Sequence, residues 1–475
     1  MKGSRGISMP TIGTPGTTVG PATVWTPQTG HTLSPSALLL QQDHGPTAGV
    51  ILLTAFVLLT YSRASDLFLP GLYLPFLTSL AALCALILSG RVLQPLGSVG
   101  GRWLIGLTVW MLLSIPFSVW KGGSVDFIRT VWFKSFMVFV LVGGIPRSMR
   151  DCRRLAGALG LAGLLVVLFA GIWGVRDAEG RLSLDAGVLE NPNELGMLVL
   201  LLAPFGWLVA HEAPRWSLRK LVGWLAVAGT IPVIVATGSR GTFLAMVAML
   251  VAVLAFQQWS RRILVATLAL MAAGVATVLT PETTLQRYAT IFSGPDSQGV
   301  GQRETSVAES SAEARFRLFE QSVRLTFMNP VLGVGPGQFQ VAERDLASDS
   351  GERAAWHETH NSYTQVSSET GIPGLVFFLG ALFIPMNRVR RLCRSSTAAL
   401  SGPSLLLART VFLSFVGFAV GAFFNSVAYS MYVTTFVGLA EAVLRTAEVP
   451  VVGTSPAPVA GLTSASTVRP VVKAV

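Results

Sequence analysis

The chain has 475 residues, 51% of them hydrophobic and 12% charged, with a net charge of +11 and a mean hydropathy of +0.59. Soluble proteins carry about a quarter charged residues, so a water-soluble domain of ordinary make-up is excluded. The positive charge gathers in short loops between apolar blocks, which is a topological signature and leaves no nucleic-acid signal.

Residues 1–46 are rich in Gly, Pro, Thr and Ser and lack the apolar core of a signal peptide, so a flexible cytoplasmic tail is expected. Twelve apolar blocks follow, near 47–61, 69–90, 103–120, 131–146, 155–174, 194–211, 221–238, 241–257, 263–280, 371–386, 405–424 and 427–445. Each is long enough or nearly so to cross a bilayer core as a helix. Backbone groups in lipid must bond internally, which favours helices over open strands. With the amino terminus in the cytoplasm, alternation puts fifteen basic residues in five short inner loops around 91–102, 147–154, 215–220, 261–262 and 388–394. The positive-inside rule wants them there. The expected fold class is therefore an all-α polytopic membrane protein of about 12 transmembrane helices. Residues 47–280 carry the first nine, 281–370 form one large, partly helical periplasmic loop, and 371–446 carry the last three. Residues 447–475 read as a second flexible cytoplasmic tail. Cys84, Cys152 and Cys393 fall in a span or in inner loops; none lies outside, so a structural disulfide is not expected, and their spacing suits no metal site.

IPVIVATGSRGTFLAMVAML (231–250) sets Arg240 in a break of about four residues between two apolar blocks, which demands a close antiparallel hairpin. A charge at a membrane boundary either snorkels to water or is functional. The lack of any other charge over about twenty residues on each side tilts Arg240 toward function, and its guanidinium fork suits a cluster of anionic oxygens.

The 281–370 loop holds twelve of the twenty-four acidic residues, seven arginines and no lysine. Within it, 311–330 spaces Phe316, Phe319, Val323 and Phe327 along one side of a helix, with Glu313, Arg317, Glu320 and Arg324 as neighbours at i,i+3 or i,i+4. Two readings stand: a helix lying on the membrane surface with solvated arginines, which periodicity favours, or one whose arginine enters a pocket and holds a phosphate. VLGVGPGQFQ (331–340) precedes no GK[ST] and reads as a tight turn, not a nucleotide loop. HETHNSYTQVSSETGIPG (357–374) starts a short helix at His360, which Gly371 should cap in the left-handed conformation before the next span. His357 and His360 are two of only five histidines; HETH lacks the second His that HExxH requires, so zinc is weakly supported and proton transfer stays open.

TGSRG at a hairpin tip, Arg315 fifteen residues before Pro330 of NPVLGVGPGQF, and HNSYTQVSSETGIPGL, in that order on one expected face, resemble the O-antigen ligase / Wzy-type polysaccharide polymerase superfamily. LENPNELGMLVLLLAP (189–204) is similar to a further segment of that family, so the resemblance runs from about 189 to 390. It implies a bacterial inner-membrane glycosyltransferase whose donor is a glycan on undecaprenyl pyrophosphate, needing neither nucleotide sugar nor metal and no cofactor. It implies His360 as general base and Arg240 with Arg315 on the pyrophosphate, with Arg317 as a rival to Arg315. His357, Asn361, Glu369 and Asn193 are weaker candidates; Asn361 and Glu369 would orient His360 or cap the helix. Where relatives often carry Trp and Leu, this chain has Phe319 and Tyr363. The resemblance further implies a glycan or lipid A–core as acceptor, and membrane lipids, a flippase and a chain-length regulator as partners. The same residues serve polymerase and ligase; the reading leans to polymerase because each of several glycan pathways in a bacterium needs its own. Twelve spans also suit a secondary transporter, but transporters hold ionisable groups near the bilayer midplane, and here Lys134 is the one strong charge well inside a span.

Overall fold

A computed structural model describes residues 47–256, 262–263, 302–349, 358–394 and 402–448. The expected tails, the block at 263–280 beyond its first residue, and His357 lie outside these residues. Helices coincide with the other apolar blocks: α1 (Ala48–Ser62), α2 (Leu74–Leu88), α3 (Val99–Ser114), α4 (Phe133–Gly144), α5 (Met149–Trp173), α6 (Pro192–Glu212), α7 (Leu218–Thr237) and α8 (Arg240–Ala255). After them come α9 (Gln302–Met328), α10 (Phe339–Asp349), α11 (Ser362–Arg394), α12 (Gly402–Gly421) and α13 (Met431–Glu448). A two-residue antiparallel ladder, β1 (Val175–Arg176) with β2 (Leu182–Ser183), bridges α5 to α6. The protein is a multi-pass, helical membrane protein.

Among the described residues, six helices are long and apolar enough to span a bilayer, rather than one for every expected block. The shortfall has local causes. At 15 residues, α1 and α2 would rise only about 22 Å against a core of about 30 Å. The α4 block is broken in character, with Lys121–Phe127 and a π-helical turn at Ile128–Trp132 leading into it. Glu441 and Arg445 interrupt α13.

Helix starts follow local capping chemistry. Ser148 and Asp151 form a reciprocal capping box at α5, Asn191 caps α6 with Pro192 in its first turn, and Ser217 caps α7. At the TGSRG break, Gly238 (φ 59°) ends α7 and Ser239 caps α8, so the expected four-residue break shrinks to two residues and Arg240 opens the helix.

Most side chains of α6 are buried, and it packs along α5, α7 and α12; Phe205 stacks on Phe436 of α13, which Phe415 of α12 meets at a tilt. The α6–α7 crossing depends on small residues, because lipid supplies no hydrophobic drive and backbone approach must supply contact instead. A Cβ on Gly223 would strike the Ala210 amide and lie 2.7 Å from the Gly206 carbonyl oxygen.

One end of the bundle is pinned by buried acids. Glu212 accepts Arg153 at 2.7 Å and lies 3.6 Å from Arg219; Glu441 accepts Arg388 at 2.9 Å and the Gly100 amide at 2.8 Å. These arginines come from the basic loops, so those loops share one end and the starts of α6, α8 and α11 lie at the other. Gly223→Ala should wedge α6 from α7 and cost about 1–3 kcal/mol, read as a lowered midpoint of thermal unfolding in detergent; an unchanged midpoint would mean the crossing is looser than described.

Candidate functional site

The site is assembled on the turn between α12 and α13. Ser362 donates its amide to Ala422 O (2.7 Å) and its hydroxyl to Asn425 O (2.6 Å), and its Oγ accepts the Val427 amide (2.9 Å). Ser426 Oγ accepts the His360 amide at 2.9 Å and lies 3.2 Å from Thr359 Oγ1. Two serines thus lock the start of α11 onto the 422–427 turn. Asn361 Oδ1 accepts the amides of Tyr363 (2.9 Å) and Thr364 (3.2 Å), so Asn361 is the helix cap and α11 begins at Ser362, two residues later than expected. His360 therefore precedes the helix, with φ at 53°. A non-glycine residue in that region is strained by about 1–3 kcal/mol, and such strain clusters at functional sites.

Gly371 also departs from the expected left-handed cap: its φ of 72° with ψ of −177° is a kink through which α11 runs on to Arg394. The Ile372 amide finds the Pro330 carbonyl at 2.8 Å across the kink. VLGVGPGQFQ is a turn, as expected, and its glycines at 333, 335 and 337 all have positive φ. It is held by Glu369, 3% exposed, whose carboxylate accepts the Gly337 amide at 2.9 Å and whose carbonyl accepts the Gly335 amide at 2.9 Å. Glu369 thus clamps the glycine turn, and the cap of α11 is Asn361.

Arg240 opens α8 half-buried, and a Cβ on the next residue, Gly241, would run into Phe424. Phe424 and Ser426 are two residues apart, at most about 7 Å along an extended chain, so α8 and His360 meet the same turn. Arg315 arrives on α9, which lies beside α11 with Thr326 Oγ1 2.8 Å from Ser367 Oγ. The buried stripe of α9 is Leu318, Ser322, Leu325 and Thr326, and half-buried Arg315 continues it one turn earlier, whereas Arg317 is exposed. The two helices run parallel, since Pro330 follows Thr326 as Ile372 follows Ser367 in the next contact. Arg315 lies eleven residues before Thr326 and His360 seven before Ser367, so both lie toward the same end of the helix pair. The expected apolar face of α9 points outward: Phe316 is 68% and Phe327 74% exposed. Asn193 joins the surroundings as a brace, accepting Arg181 Nη2 at 2.8 Å while Arg181 Nε reaches the Thr237 carbonyl beside the TGSRG break at 3.0 Å.

A cavity of ≈ 320 Å³ lies beneath the turn, with Arg63, Lys134, Glu194, Glu358, Gln365 and Ser426 on its wall. Arg240, Arg315 and His360 do not line it; Ser426 connects it to His360. Glu358 is open to the cavity, yet the protein around its other sides pushes its carboxyl above the ordinary range by desolvation. The sequence reading missed Glu194 and Glu358; their one sequence signal is adjacency to the NPN and HNS segments. Among the described residues no three His, Cys, Asp or Glu side chains gather to hold a metal.

Residues 225–379 match a family model described as O-antigen ligase (Wzy_C). That stretch runs from within α7, across the TGSRG break, α9 and the glycine turn, into α11. No curated protein matches the chain. Glu369→Ala should orphan the Gly337 amide and cost about 1–3 kcal/mol, while Glu369→Gln keeps an acceptor and the wild-type unfolding midpoint; equal loss in both variants would assign Glu369 a role that needs its charge.

Proposed function

Residues 225–379 being an O-antigen ligase domain of the O-antigen ligase / Wzy superfamily, we propose that this chain transfers a glycan from undecaprenyl pyrophosphate to an acceptor hydroxyl at the periplasmic face of the bacterial inner membrane. Glycosyl transfer of the ligase or polymerase kind, acting on lipid-linked glycans, is what the family itself implies. The observation that carries the residue assignment is the clasp: His360 is held at positive φ by Ser426, on the turn against which α8 brings Arg240.

In the proposed step the acceptor oxygen attacks the anomeric carbon as the bond from that carbon to the phosphate oxygen breaks. The His360 imidazole takes the hydroxyl proton, and the pyrophosphate leaves with the bonding electron pair. Negative charge grows on the leaving group, so the guanidinium groups of Arg240 and Arg315 stabilise the transition state more than the ground state. A single displacement inverts the anomeric configuration. The acceptor is assigned as the growing chain of a surface polysaccharide, which makes the enzyme a polymerase; the description of the matching family favours lipid A–core as the second reading.

His360→Ala and Arg315→Ala should each slow transfer by about 30- to 1000-fold, equivalent to about 2–4 kcal/mol, with the protein inserted and its unfolding midpoint retained. Normal surface glycan from either variant at matched expression would remove that residue from the site. Deleting the gene separates the two acceptors: single repeats at the surface mark a polymerase, and full chains stranded on the lipid carrier mark a ligase.

A further inference from the structure

Three arginines gather at the basic end of the bundle, and among the described residues none of them is bonded to a carboxylate. Arg91 follows α2, Arg147 precedes α5, and Arg445 lies in the last turn of α13. They meet around the end of α4. Leu86 and Pro95, on either side of Arg91 in the chain, both reach within 3.4 Å of where a Cβ on Gly144 would stand, and Arg147 comes three residues after that glycine. Arg445 Nη2 donates to the Pro146 carbonyl at 2.9 Å.

Arg91 Nε donates to Gln94 at 2.9 Å, while its Nη1 is enclosed and has no acceptor among the described residues. An enclosed charged donor left without an acceptor is costly, and it calls for an explanation. Desolvation, then the charges of Arg445 and Arg147, push the Arg91 guanidinium below its ordinary range against a smaller pull from Asp151. Asp151 is already engaged: Oδ2 accepts the amides of Arg147 (3.1 Å) and Ser148 (3.2 Å), and Oδ1 accepts Arg154 (3.2 Å). Three cations in mutual range repel one another unless an anion sits among them. The Arg91 side chain is half-exposed, so a turn about its outer bonds presents Nη1 to an oxygen arriving from outside.

The surface around Arg91 is apolar. Ile87, Leu88 and Leu93 flank it and are exposed, Leu88 to 88%. With 15 residues, α2 rises only about 22 Å against a hydrocarbon core of about 30 Å. Its Arg91 end therefore lies deeper than an undisturbed headgroup layer, and a short helix is accommodated by drawing that layer inward. We propose that Arg91, Arg147 and Arg445 hold the phosphate of an anionic phospholipid, its acyl chains along Ile87 and Leu88, in the leaflet at the basic end of the bundle. By the positive-inside rule that leaflet is the cytoplasmic one, where anionic headgroups seek basic pockets between helices. Guanidinium forks on one phosphate make strong, charge-assisted pairs. The lipid staples α2, α4 and α13 together at the end of the bundle opposite His360, so it serves anchoring and not transfer.

The test is a titration of the full-length protein in detergent with phosphatidylglycerol, followed by native mass spectrometry, with zwitterionic phosphatidylcholine as the comparison lipid and inorganic phosphate as competitor. The wild type should retain phosphatidylglycerol in preference to phosphatidylcholine. Arg147→Gln, at an exposed side chain, should keep the unfolding midpoint of the lipid-free protein and weaken phosphatidylglycerol by about tenfold, the loss of one charge-assisted contact. Arg91→Gln should do the same, and Arg91→Lys, which keeps the charge, should weaken it less. Arg215→Gln removes one charge from another basic loop at the same end and should leave binding unchanged. If Arg215→Gln weakens the lipid as much as Arg147→Gln, the attraction is diffuse surface charge and the site is overturned. If inorganic phosphate displaces phosphatidylglycerol at equal concentration, the cluster is a free-anion site and the lipid assignment is overturned.

Discussion

The clasp between Ser362 and the 422–427 turn is the contact on which the candidate site depends. Three hydrogen bonds to one serine, together with Ser426 on the His360 amide, fix a segment that has left helical geometry. In a low-dielectric setting each such bond is stronger than in water, and leaving any of these groups unpaired would be expensive. The strain at His360 persists because neighbours on three sides over-determine it: Thr359, Asn361 and Ser426. The same turn then receives α8 at Phe424, so one short connection organises residues more than a hundred positions apart.

A second fixture lies behind it. The glycine turn at 331–338 is tied to α11 through Glu369 and to the segment after α3 by the Val119 amide on the Val334 carbonyl (3.0 Å). Positive φ at Gly335 and Gly337 permits that approach, since a side chain there would strike Ser118 or Phe127. The turn sets the height of α9 against α11, and thereby where Arg315 stands. At the opposite end Glu212 and Glu441 gather three arginines, Arg153, Arg219 and Arg388, from three separate segments. Buried ion pairs add little net stability but punish any arrangement that leaves one partner alone, so they specify how the helices pair more than how tightly.

Much of this was legible in residues because it is local. Apolar block length located the helices from α1 to α8 and α11 to α13, and Ser, Asn, Pro and Gly at the block edges chose their ends. The TGSRG break needs only Gly238 and Ser239, adjacent in sequence, to stop one helix and start the next. The order of motifs across 189–390 carried the family, which the match over 225–379 bears out.

Direction, register and partnership needed the tertiary structure. Periodicity found a two-faced α9 but could not say which face is inward, because beside lipid the aromatic face can point out while Ser322 and Thr326 face protein. In the sequence Glu369 reads as a residue that caps the helix or orients His360; that it holds the glycine turn, thirty-odd residues earlier in the chain, is visible only in the fold. Lys134 is visible in the sequence as a charge inside an apolar block, but that it stands between two cavities depends on α1, α2, α4 and the 426–432 segment meeting around it. Apolar length and capping act between near neighbours, so sequence alone determines them; a cavity belongs to no single segment, and only the packing of distant ones creates it.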